Sequence, residues 1–81
     1  MKFALWLGDE HGFGGISGAL GDSVEAPTPQ AAAKEMGVRI TVQRTDKTFY
    51  VEPLPENEKL RARVDLYRSA DPTSKLVMAS R

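Results

Sequence analysis

Eighty-one residues suffice for one domain and leave no room for a second independent core, and 41% apolar with 27% charged residues is ordinary globular usage. A formal net charge of zero argues against a strong non-specific polyanion binder. The lack of cysteine excludes disulfides, thiolate metal sites and cysteine nucleophiles together.

The charge is unevenly spread. Residues 1–33 hold one lysine against four carboxylates, and residues 34–81 hold ten Lys/Arg against seven, so the two parts attract each other. Lys2 to Leu7 reads as a strand apolar on both faces, with Phe3, Leu5 and Leu7 on one side and Ala4 and Trp6 on the other, which suits a central position. That apolar run stops at Gly8-Asp9-Glu10, below the roughly 7 to 15 residues of a secretory core and the about 20 of a membrane span; no membrane association and a cytoplasmic location are expected.

Residues 8–27 form a long Gly-rich loop carrying Gly12, Gly14, Gly15, Gly18 and Gly21. Loops beyond about 12 to 15 residues are uncommon in compact domains and tend to be functional or disordered. Thr28-Pro29 then opens a short helix: Thr28 caps free amides, Pro29 takes the first helical position, Ala31 to Ala33 supply propensity, and Gly37 closes the end.

From Val38 the period becomes two. Val38, Ile40 and Val42 alternate with Arg39, Thr41 and Gln43; after a turn at Thr45-Asp46-Lys47, Phe49 and Val51 alternate with Tyr50 and Glu52, which makes a hairpin ended by Pro53 and Pro55. Leu60, Ala62, Val64 and Leu66 alternate with Arg61, Arg63, Asp65 and Tyr67 and are expected to form a further strand. A turn at Ala70 to Thr73 leads into a last strand over Lys75 to Ser80. The chain therefore reads as a single α+β domain over residues 1–81, a mostly antiparallel β-sheet of about five strands in β-α-β-β-β-β order with one short helix, a small β-barrel being the alternative closure. Phe3, Leu5, Leu7, Ile40, Val42, Phe49, Val51, Val64, Leu66, Leu76 and Met78 are the expected core.

No residue set carries a catalytic, cofactor or metal signature, so no enzyme activity is expected. Gly12 to Gly18 lack both the dinucleotide fingerprint and a Gly-Lys-Ser/Thr phosphate loop, which leaves small-anion or nucleotide binding there as a weak alternative. Asp9-Glu10-His11 lack the spacing of a metal site, and Ser17 and Ser23 lack a nucleophile context. The expected role is a non-catalytic protein-interaction module, or a small accessory protein such as a phage-encoded factor or a subunit of an assembly. It would bind a partner chain or self-associate through Trp6 on the second face of the first strand, Phe13, Ile16 and Leu20 of the loop, and Val77 of the apolar last strand. The alternative is single-stranded nucleic acid held on a sheet face by Arg39, Tyr50, Arg61, Arg63 and Tyr67, cations tracking phosphates and rings stacking on bases. Glu52 and Asp65 on that face would instead pair with the arginines and leave it merely solvated.

Overall fold

The computed structural model describes residues 1–8, 20, 23–70 and 72–80. The elements run β1 (Lys2–Gly8), β2 (Ser23–Glu25), α1 (Pro29–Met36), β3 (Val38–Gln43), β4 (Thr48–Pro53), α2 (Glu58–Ala70) and β5 (Lys75–Ser80). The strands make one open antiparallel sheet in the order β2-β1-β5-β4-β3. This is an α+β fold with the expected number of strands. The sheet ends at β2 and β3 without closing into a barrel.

Both helices lie against one face. Phe3, Leu5, Leu7, Val38, Phe49, Val51, Leu76 and Met78 form a single buried cluster with Ala32 and Ala33 of α1 and Leu60 and Val64 of α2. Burial of side chains the size of Phe3, Leu5 and Met78 contributes roughly 1.5–3 kcal/mol each. β1 is central as its two apolar faces required, with β5 along its length and β2 against Lys2 to Ala4. β5 is central too, between β1 and β4. That position accounts for the double-sided apolar run Leu76 to Ala79, which as an edge strand would have exposed a sticky flank.

Local chemistry fixes α1. Thr28 is extended and its Oγ1 accepts from the Ala31 N–H at 3.1 Å, Pro29 opens the helix, and Gly37 closes it at φ 74°, the left-handed conformation glycine adopts without strain. The β3–β4 hairpin turns as expected around Thr45 to Lys47, where the Thr48 carbonyl accepts from the Arg44 and Thr45 N–H groups.

Two expectations need correction. Residues 60–67 are not a strand: they lie within α2, which buries Leu60 and Val64, four residues apart, and exposes Ala62 and Leu66, the latter by 71%. Period-two alternation and an i, i+4 pair share Leu60 and Val64, and helix propensity decides between them, since Glu58-Lys59-Leu60-Arg61-Ala62-Arg63 are all strong helix formers. The termini add to it. Asn57 Oδ1 accepts from the Leu60 N–H at 3.4 Å, Glu58 occupies the first turn and Arg68 the last, each with the sign the helix dipole favours. The fifth strand is instead the three-residue β2, formed inside the stretch expected to be loop.

Val42 is the second correction. The β3–β4 register shifts between Ile40 and Val42: Ile40 opposes Val51, but Val42 opposes Tyr50. A bulge inserts one residue and reverses the inward-outward phase beyond it, so Val42 leaves the core and is 53% exposed on the other face. Among the described residues no helix is long and apolar enough to cross a membrane.

Candidate functional site: the helix-free face of the sheet

The face of the sheet opposite the helices is defined by strand register. Trp6 of β1 opposes Val77 of β5, Val77 opposes Tyr50 of β4, and Tyr50 opposes Val42 of β3. Directly opposed residues share a face, so these four form one apolar row across four strands. A parallel row of small residues, Ala4, Ala79 and Thr48, runs beside it. Ala4, Val77 and Ala79 are buried yet lie outside the helix-covered core cluster.

The large members of the row are held in place. A side chain at Gly8 would put its Cβ 3.1 Å from Trp6 Nε1 and 3.5 Å from Val77 Cγ2, so the indole folds along its own strand over the bare glycine. Trp6 remains half-buried. Thr41 Oγ1 donates to the Tyr50 carbonyl at 3.1 Å, and Arg44 Nη1 lies 3.5 Å from the Tyr50 hydroxyl. Beyond the row, Arg39 opposes Glu52 and the two side chains form an ion pair. The face is thus an aromatic and aliphatic ridge with charged groups at its margin, a surface able to exclude water from a contact.

Of the partner-surface residues expected from sequence, Trp6 is on this ridge. Val77 is beneath it, fully buried, and presents no surface to a partner. Leu20 is likewise buried, within the helix-side core, and its carbonyl accepts from Arg63 Nη2 at 3.0 Å. Phe13 and Ile16 lie outside the described residues, as do the Gly12 to Gly18 stretch, Asp9-Glu10-His11 and Ser17. The Arg/Tyr surface does not assemble as drawn: Arg39 and Tyr50 are on the sheet, whereas Arg61, Arg63 and Tyr67 are on α2. Arg63 turns toward Leu20, so the five groups share no plane on which a strand of bases could stack. Val42 was expected in the core and Gly8 at the start of the loop, and neither was expected on this face. Only the bulge brings Val42 to this face, and no residue type announces that bulge.

No family model, curated protein or solved structure matches the chain. Its functional reading rests on its own geometry.

Proposed function

We propose that this protein acts by recognition without catalysis, docking another protein chain on the helix-free face of its sheet. The observation that carries the reading is the cross-strand register Trp6–Val77–Tyr50–Val42, which aligns an apolar ridge across the side of the sheet that neither helix covers. A domain of this length buries only about 60% of the surface its unfolded chain exposes, so further apolar burial on a partner is worth more to it than to a larger fold. Aromatic and aliphatic groups at the centre with ionised groups at the rim is the composition of a protein contact.

Trp6 is the protein's one tryptophan, which makes the test direct. Sedimentation across micromolar to millimolar concentration detects a second copy, and affinity capture from the native source supplies any other chain. Either partner should shield Trp6 from acrylamide quenching. Val42→Glu on the ridge should abolish association, while Leu66→Glu on the outer side of α2 should leave it intact. A strict monomer whose captured partners bind the Val42→Glu variant as well as the parent contradicts the reading. Shielding of Trp6 by oligonucleotides alone would transfer the face to single-stranded nucleic acid.

A further inference from the structure

The β4–β5 ladder stops early. Thr48, Phe49 and Tyr50 pair with Ala79, Met78 and Val77, but Val51, Glu52 and Pro53 have no partners on β5. Pro53 cannot donate a ladder hydrogen bond, and the chain leaves there to build α2 before returning as β5. Where the strands part, a cleft of about 410 Å³ opens between the sheet and the flank of α2, lined by Arg39, Glu52, Pro53, Arg61, Val64 and Arg68 among others. It continues into a smaller one that shares Glu52, Pro53, Val64 and Arg68 and adds Tyr50 and Lys75. The volume is within the range of small-molecule sites, about 300–1,000 Å³.

Its charge is specific. Arg61, Asp65 and Arg68 are spaced i, i+4, i+7 and so share the flank of α2 that overlooks the cleft. Arg39 is committed to Glu52, and that pair is neutral. Arg61 Nη1 reaches the Pro55 carbonyl at 3.4 Å, a long contact that leaves most of its guanidinium donors to spare. Arg68 forms no ion pair with the described residues. Two guanidinium groups therefore face one carboxylate, Asp65, beside the apolar surface of Val64, Pro53 and Pro55. Guanidinium forks match an oxyanion bidentately, and a proline-valine wall suits a flat apolar body.

We propose that this cleft binds a small molecule carrying a phosphate or carboxylate group on an apolar body, with Arg61 and Arg68 holding the oxyanion and Val64 and Pro53 packing the body. The smaller cleft reaches Tyr50 and Val42 of the sheet-face ridge, but the oxyanion-holding Arg61 and Arg68 lie on α2 outside that ridge, so Arg68→Gln tests this site without touching the ridge. Asp65 opposes such a ligand and sets its affinity low.

Amide-resolved NMR titration of the full chain with phenyl phosphate, benzoate and neutral benzyl alcohol tests this. Either anion should give saturable shifts confined to Glu52, Arg61, Val64, Asp65 and Arg68, and the stronger of the two identifies the oxyanion; the alcohol should give none. Arg68→Gln should weaken binding about tenfold, the loss of one charge-assisted contact. Asp65→Asn should tighten it about threefold by removing the like charge. Both residues are exposed, so neither change threatens the fold. Shifts that do not saturate, that spread equally to Lys2, Lys34 and Lys47, or that are the same in parent, Arg68→Gln and Asp65→Asn overturn the proposal.

Discussion

The Asn57 side chain ties the end of α1 to the start of α2: its Nδ2 donates to the Gly37 carbonyl at 3.1 Å while its Oδ1 accepts from the Leu60 N–H at 3.4 Å. The same Gly37 carbonyl also accepts from the Leu54 N–H at 3.0 Å, so one left-handed glycine anchors the chain that enters the second helix. A Cβ at Gly37 would fall 2.3 Å from Asn57 Nδ2.

Gly37→Ala therefore combines left-handed backbone strain with loss of the Asn57 contact, and should cost about 2 kcal/mol or more in urea unfolding. Asn57→Ala removes both the cap and the link and should cost about 1–2.5 kcal/mol. Asn57→Asp keeps the cap acceptor but loses the donor, so its loss should fall between zero and that of Asn57→Ala. Equal stability of all three variants and the parent would contradict the arrangement.

Burial along α2 makes a contrast that a strand could not produce. Leu60→Ala should destabilise by about 2–4 kcal/mol because Leu60 is enclosed in the core, whereas Leu66→Ala should lie within about 0.5 kcal/mol of the parent. Both leucines fall on one face in a two-residue rhythm and on different faces of a helix. Comparable losses at the two positions in thermal or urea unfolding would remove α2.

Gly8 is the floor beneath the indole. Gly8→Ala places a methyl group in a 3.1 Å contact with Trp6 Nε1, so the ring must give way by a few tenths of an ångström and loosen from the sheet. Since no other tryptophan is present, steady-state emission reports this ring alone. The variant should shift toward the emission of exposed tryptophan and become more accessible to acrylamide. An unchanged spectrum and quenching constant would mean that the ring does not rest on Gly8.

The Arg39–Glu52 pair should contribute little to stability. Its side chains are 66% and 45% exposed, and exposed pairs are worth about 0–1 kcal/mol. Glu52→Gln should therefore lower stability by less than about 1 kcal/mol, and the difference should shrink as salt rises from 0.05 to about 0.5 M because such pairs are screened. A loss above about 2 kcal/mol that persists at high salt would mark Glu52 as structurally buried in a way this geometry denies. In the cleft, the same substitution frees Arg39 and should tighten oxyanion binding.

How far the sequence could be read depended on whether the deciding interaction was local. Thr28, Pro29 and Gly37 specify α1 within one stretch of chain, since a cap, a fixed φ and a left-handed glycine act on their immediate neighbours. The double-sided apolarity of Phe3 to Leu7 marked β1 as central without any knowledge of its partners. The second helix was legible in its propensity and its ends, Asn57, Glu58 and Arg68, but an alternation through Leu60, Ala62, Val64 and Leu66 masked it. The two periodicities coincide at every fourth residue, and only packing against β4 shows that Leu66 has nothing to cover it.

The ridge and the cleft were of the other kind. Arg39, Tyr50 and Arg61 carry charge and a ring of the kind that can recognise a ligand, but the plane expected to unite them required a strand that does not exist. Sequence alone determined the class of fold, the first helix, the hairpin and most of the core, because each follows from side-chain periodicity or from a cap acting on adjacent residues. Tertiary structure alone decided which face Val42 joins, that Trp6, Val77, Tyr50 and Val42 align, and that Arg39 meets Arg61 and Arg68 across a cleft. Those are facts of register and strand order, set by a bulge and by where one ladder ends, and they join residues far apart along the chain whose identities carry no record of one another.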